Sequence, residues 1–189
     1  MHNQAHHPTL SERASRILLL LTDCDGVLTD AGVYYSDNGE TLKRFSMRDG
    51  MGVERLRMLA EVETGIVTGE RSPIVAQRAA KLNITELHAG VKNKLQVLQE
   101  ILRRRNLSAE QVAYIGDDLN DEAVMRAVGL CACPADAMEG ILSIADYVCR
   151  HSGGHGAFRE FAEFIIHAKQ QIPAAGATAG NENPMQLKL

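Results

Sequence analysis

The 189-residue chain has no excess of basic residues, no long hydrophobic run and no regular array of cysteines. Each absence removes a class of function. With 20 Lys+Arg against 24 Asp+Glu the formal charge is −4, which leaves no basic stripe to track a nucleic-acid backbone, so no nucleic-acid partner is expected. No apolar stretch is long enough to span a bilayer, and no membrane partner is expected. Cys24, Cys131, Cys133 and Cys149 lack disulfide-framework spacing, and no secretory leader pattern precedes the first apolar run. A cytoplasmic location with reduced thiols is the expectation. Cys131-Ala132-Cys133 reads either as half of a zinc site or as two small apolar residues in a strand, and no second ligand pair is spaced to complete the metal site. Internal repeats are absent as well.

What is present is ordinary globular material, 45% hydrophobic and 23% charged, enough for one domain with a full core. Residues 1–14, with His2, His6 and His7, read as a flexible N-terminal segment. Residues 171–189 are rich in Ala, Gly, Asn and Pro without periodicity and read as a disordered tail. Between them, over residues 15–170, apolar runs at Ile17–Thr22, Thr64–Thr68, Glu86–His88, Val112–Ile115 and Gly129–Cys133 alternate with helical spacings. Ser72 before Pro73 marks a helix start, and Ser108 with Gln111 forms the pattern of a capping box. The alternation predicts an α/β fold, a doubly wound (Rossmann-like) parallel sheet with helices on both faces. Only Gly32–Met47 breaks the rhythm: β-formers flank Asp37-Asn38-Gly39, which predicts a small β-hairpin insertion.

The most informative stretch runs from Leu18 to Asp30, where four leucines and Thr22 end in Asp23-Cys24-Asp25-Gly26. Carboxylates spaced i, i+2 at the end of a strand stand on one side of it. Such like charges repel unless a cation or a shared proton intervenes. Gly26 lets the chain turn at the carboxyl end of the strand, the edge where open α/β sheets place ligands. The pattern reads as a Mg²⁺-assisted phosphate site, with one carboxylate as nucleophile and the other as acid/base, or else as an Asp-rich turn. Three further features fall near strand ends. Thr68-Gly69 offers a hydroxyl and an N–H to phosphate oxygens. Lys94 opens an amphipathic helix, where it brings a point charge to the site or stays a solvated surface charge. Gly116-Asp117-Asp118-Leu119-Asn120-Asp121 adds three carboxylates. In that order the four features supply a nucleophile, phosphate donors and metal ligands to one crevice.

In Asp23-Cys24-Asp25-Gly26, Thr68-Gly69, Lys94 and Gly116-Asp117-Asp118 the chain resembles the haloacid dehalogenase superfamily of phosphotransferases. Asp25–Asp30, Arg48-Asp49-Gly50-Met51-Gly52, Val112–Leu119 and Gly153–Glu160 resemble its small, capless phosphatases that act on phosphorylated 2-keto-3-deoxy sugar acids. The resemblance implies that Asp23 attacks phosphorus to form an aspartyl-phosphate, and that Asp25 protonates the leaving oxygen and later activates water. It also implies that Mg²⁺ is held by Asp23, the backbone carbonyl of Asp25, and Asp117. Asp118 and Asp121 are then outer carboxylates that orient water on the metal or Lys94. Thr68, Gly69, Glu70, Lys81, Arg48, Asp49 and His155 become the candidate substrate contacts.

The spacing Asp23–Thr68–Lys94 leaves no room for a cap domain in either gap. An open site must be closed by something else, because phosphoryl transfer benefits from excluding bulk water. The resemblance implies a homotetramer whose subunits meet through the Val33–Phe45 hairpin, with Gly153–Arg159 as a mobile lid on a neighbouring subunit's site. The implied substrate is a small sugar phosphate, 3-deoxy-D-manno-octulosonate 8-phosphate. Glu70 and Lys81 stand instead as in the enzymes acting on 2-keto-3-deoxynononate 9-phosphate, and His155 replaces an Arg common in the eight-carbon group. A receiver-like phospho-acceptor domain is the non-enzyme alternative, although it places its acidic pair and acceptor in a different order.

Overall fold

The computed structural model describes residues 8–171, so His2, His6 and His7 and the tail from residue 172 onward lie outside the described residues. In chain order the elements are α1 (Leu10–Ser15), β1 (Leu19–Thr22), β2 (Thr29–Ser36), β3 (Gly39–Phe45), α2 (Met47–Ala60), β4 (Glu63–Thr68), α3 (Pro73–Lys81), β5 (Glu86–Ala89) and α4 (Lys94–Arg105). They continue through β6 (Val112–Ile115), α5 (Glu122–Met125), β7 (Leu130–Cys133), α6 (Glu139–Leu142), β8 (Tyr147–Val148) and α7 (Ala157–Gln171).

Six parallel strands form the main sheet in the order β5-β4-β1-β6-β7-β8. β1 sits in the middle, and its four residues are all buried, which explains an uninterrupted leucine run where an amphipathic strand would alternate. Its side chains divide between two cores. Leu20 joins Leu56, Ala113, Ile115, Phe158, Phe161 and Ile165 on the side of α2 and α7. Leu19 and Leu21 join Leu98, Ile101, Val112 and Tyr114 on the side of α4. The chain leaves β1 outward through β4 and β5, then returns to β6 on its other flank, so the winding reverses beside β1. That switch point opens a crevice at the carboxyl ends of β1 and β6.

The expected fold class is therefore found, and no cap domain interrupts it among the described residues. β2 and β3 form the expected hairpin around Asp37-Asn38, with Gly39 at φ +101°. The N-terminal expectation changes in part. Residues 10–15 form α1 rather than a flexible segment, because Thr9 and Glu12 cap it reciprocally, with Thr9 N–H donating to Glu12 Oε2 at 2.7 Å and Glu12 N–H to Thr9 Oγ1 at 3.2 Å. Arg13 then fastens it to Asp146 through bonds of 2.8 and 2.6 Å. Ser72 stands at the N-cap of α3 as expected, with Pro73 behind it, but its hydroxyl bonds Glu40 of the hairpin instead of capping the helix. Cys131 and Cys133 are buried in β7, which is the apolar reading of that pair.

Candidate active site

Asp23 follows β1 directly and is 5% exposed. Its N–H donates to Ile115 O on β6 (3.0 Å), which carries the strand pairing one residue further and fixes the side chain at the switch point. The loop beyond winds around a single acceptor. Val27, Leu28 and Thr29 all turn their N–H groups to Cys24 O, at 3.4, 2.9 and 3.0 Å. Gly26 adopts φ +88°, and a Cβ there would lie 1.9 Å from Asp117 Oδ2, so only glycine allows the β1 loop and the β6 loop to meet.

Asp23, Asp25, Thr68, Gly69, Glu70, Asp117, Asp118 and Asn120, with Ala31, line one cleft of about 250 Å³. Lys94 forms its floor. It is 4% exposed, and its ammonium lies 3.0 Å from Asp23 Oδ1 and 2.6 Å from Asp121 Oδ1, so the surface-charge alternative for this residue is overturned. Asp121 is fully buried and spends both oxygens on the protein. Oδ1 accepts from Lys94 and from Tyr114 Oη (2.6 Å), and Oδ2 accepts from the Asp117 N–H (3.1 Å). Asp118 is exposed and caps the turn at Leu119.

Among the described residues, Asp23, Asp117 and Asp121 bring carboxylate oxygens within 4.8 Å of one another. Burial, then repulsion from Asp121, raises the Asp23 carboxyl to about 7. Burial, then repulsion from Asp23 and Asp121, raises Asp117 to about 8. Asp117 Oδ1 is buried with no hydrogen-bond partner. Two repelling carboxylates and an orphaned oxygen fit a hard divalent cation, which takes oxygen ligands. Asp121, already saturated by Lys94, Tyr114 and the loop, fits the outer role expected of it.

Asp25 lines the same cleft but is not part of this carboxylate group. Its oxygens accept from Lys43 Nζ at 2.7 and 2.6 Å, and Oδ1 also accepts from Thr29 Oγ1 at 3.3 Å. Lys43 was not singled out in the sequence. A lysine in a strand normally faces water, and the signal that could have found it was its position, the inward phase of a hairpin that borders a carboxylate.

Several expected contacts are not brought to the cleft. Asp49 is 1% exposed, and its carboxylate caps the start of α7 by accepting from the Gly156 N–H (3.2 Å) and the Arg159 N–H (2.9 Å), which leaves nothing to offer a substrate. Arg48 and His155 line a different cavity of about 410 Å³ against α7, with Tyr147 and Arg159. Lys81 ends α3, exposed and outside the cleft lining. The Gly153–Arg159 segment, expected as a lid on a neighbouring subunit's site, packs closely against its own chain. Gly153 and Gly154 are buried, a Cβ on Gly153 would lie 1.9 Å from Gly26 O, the Gly154 N–H donates to Val27 O (2.9 Å), and Ala157 already begins α7. These glycines exist to let one backbone rest directly on the loop after β1.

An acidic, cation-ready cleft at the switch point of a doubly wound sheet, backed by a buried lysine, suits phosphoryl transfer. The family model of haloacid dehalogenase-like hydrolases matches residues 74–161. The 3-deoxy-D-manno-octulosonate 8-phosphate phosphatase of Escherichia coli strain K12 is 42% identical over 163 residues, 86% of each chain. The chain belongs to the haloacid dehalogenase-like hydrolases and is a phosphoric monoester hydrolase. The crystal structure of the Yersinia pestis 3-deoxy-D-manno-octulosonate 8-phosphate phosphatase matches with a TM-score of 0.82 and 42% identity, over 86% of this chain and 87% of that one. The Moraxella catarrhalis enzyme of the same name, determined with a magnesium ion, a phosphate ion and a KDO molecule, matches with a TM-score of 0.82 and 32% identity, over 86% of this chain and 92% of its own. With a hydrolase family established, the receiver-like alternative falls.

Proposed function

We propose that the chain removes the terminal phosphate of 3-deoxy-D-manno-octulosonate 8-phosphate in the cytoplasm. The observation that carries the eight-carbon reading is the 42% identity to the E. coli phosphatase over 86% of both chains. Asp23, at the end of β1 and held by Lys94, is placed to attack phosphorus. The leaving sugar oxygen takes its proton from the Asp25 carboxyl as the phosphorus–oxygen bond breaks. Asp25, now ionised, takes a proton from water, and the hydroxide displaces the phosphoryl group from Asp23. Thr68 and the Gly69 N–H, both in the cleft lining, receive the non-bridging oxygens in this reading. Bound by Asp23, the Asp25 carbonyl and Asp117, Mg²⁺ supplies positive charge between an anionic nucleophile and an anionic phosphate.

Glu70 favours a nine-carbon substrate as the second reading, since it lines the cleft beside Thr68, although Lys81 does not support it there. Phosphate release measured on both ulosonate phosphates separates the two. A kcat/KM at least about tenfold higher on the eight-carbon ester is expected, and the reverse order would transfer the assignment. Closure of the open cleft by a homotetramer is supported by apolar side chains that no other described residue covers. On the hairpin Tyr34, Tyr35 and Leu42 are 64%, 72% and 60% exposed, and Met47 and Met58 of α2 are each 69% exposed. Sedimentation showing a fully active monomer would reject the tetramer while leaving the phosphatase standing.

A further inference from the structure

The β2–β3 hairpin is turned inside out. In a half-buried hairpin the apolar residues face the protein and the charged ones face water. Here Tyr34 and its cross-strand partner Leu42 face outward, and the one buried residue of β3 is Lys43, its side chain 1% exposed. A buried ammonium needs partners. Lys43 Nζ lies 2.7 and 2.6 Å from the two oxygens of Asp25, so the carboxylate plane is fixed by both of its atoms. The same ammonium has Glu40 Oε2 at 3.6 Å, and Glu40 in turn accepts from Ser72 at the start of α3. The chain Ser72–Glu40–Lys43–Asp25 thus ties the hairpin to the sheet and ends on the carboxyl group given the acid/base role. Without it Asp25, on a tight loop and bonded otherwise, among the described residues, by Thr29 at 3.3 Å, would be free to turn into solvent.

We infer that Lys43 is a positioning residue for phosphoryl transfer, holding Asp25 in the orientation from which it protonates the leaving oxygen and then deprotonates water. The inference rests on the acid/base role proposed for Asp25. It adds a reason for the hairpin's burial pattern: near the loop after β1 its inner face serves the chemistry, which leaves Tyr34 and Leu42 for the outer face. Proton transfer by a placed group is worth about 10²–10⁴-fold, and a misplacement of about 1 Å costs about 100-fold.

The test compares Lys43→Met and Asp25→Asn on an alkyl phosphate, the best ester from the substrate screen, and on p-nitrophenyl phosphate, whose leaving group departs without a proton. For Lys43→Met, kcat on the alkyl ester should fall about 100-fold with KM within about threefold. On p-nitrophenyl phosphate its first turnover should stay near the wild-type rate and then stall, giving a stoichiometric burst of nitrophenolate and an acid-trappable phosphoprotein, because hydrolysis of the aspartyl-phosphate still needs Asp25. Asp25→Asn should show the same burst, the double variant should be no worse than Asp25→Asn alone, and Lys43→Arg should restore most of kcat. Lys43→Gln gives the same readout if methionine impairs folding. Wild-type kcat in Lys43→Met beside an inactive Asp25→Asn would overturn this inference alone, as would equal slowing of the first turnover on both esters. Full turnover by Asp25→Asn would instead overturn the acid/base role on which it rests.

Discussion

In the metal-free protein Asp23 and Asp117 should carry protons near neutral pH, and a divalent cation should expel them. Burial followed by repulsion from Asp121 holds Asp23 at about 7, and burial followed by repulsion from Asp23 holds Asp117 at about 8. A cation needs both oxygens ionised, so each carboxyl still protonated weakens binding about tenfold per pH unit. Apparent Mg²⁺ affinity should be level above about pH 8, fall about tenfold by pH 7 and about tenfold more by pH 6.5, a total of about 100-fold or ~2.7 kcal/mol. The two groups titrate as a pair, and the steps belong to the pair. Folding carries the opposite signature. Both carboxyls bind protons more tightly in the folded chain than at their ordinary 3.8, so the metal-free fold loses stability as pH rises through 7 and 8, and Mg²⁺ should restore it most at the alkaline end. Calorimetric titration in buffers of different ionisation enthalpy measures the protons directly, with about two released at pH 6 and about none at pH 9 expected. Proton release of zero throughout, with affinity independent of pH, would refute the claim that burial and repulsion dominate this floor.

Three further outcomes follow from the same geometry. Asp23→Asn should abolish phosphate release while leaving the metal-free melting temperature at pH 8 equal or higher, since a neutral amide replaces a buried, repelled carboxylate; substantial turnover by the folded variant would remove Asp23 from the nucleophile role. Gly153→Ala pushes a methyl group to 1.9 Å from Gly26 O, so urea denaturation should show a loss of about 3 kcal/mol, and an unchanged midpoint would mean the two backbones do not rest on one another. At Glu160 burial works to raise the carboxyl, but bonds from His151, Arg150 and Tyr147 outweigh it and hold it at about 2. Its contribution is therefore complete above its ordinary 4.5 and lost as pH falls through about 2, so Glu160→Gln should flatten the acid limb of the stability profile.

The parallel sheet and the positions of its main strands could be read from the chain because buried strands write themselves as apolar runs, and β1, β4, β6 and β7 do so within two residues of their ends; the order of the strands in the sheet was given only by the structure. α6 and β8 could not, being four and two residues long, and α1, six residues long, was missed although Thr9 and Glu12 carry the local pattern of a capping box. The cleft residues Asp23, Thr68, Lys94 and Asp117 were legible since each follows or faces the end of a strand. Asp49 misled because a charged residue near a site can be structural, here a carboxylate capping α7. Lys43 was illegible because its burial depends on which face of a hairpin meets the loop after β1, and strand alternation alone assigns the faces by hydrophobicity, which here gives the wrong answer.

The inverted hairpin also sets an arithmetic on how its length can vary. Successive strand residues point to opposite faces, so, counted from Gly39, gaining one residue before Lys43 would deliver Leu42 to Asp25, losing one would deliver Arg44, and either change would send the Lys43 ammonium to the aromatic outer face. Changes in pairs keep both faces intact. Parity, rather than length or the identity of the turn, is what this arm must conserve: a graft that extends it by two residues per strand should keep its chemistry, and one that extends it by a single residue should lose the catalytic contact and the apolar surface together.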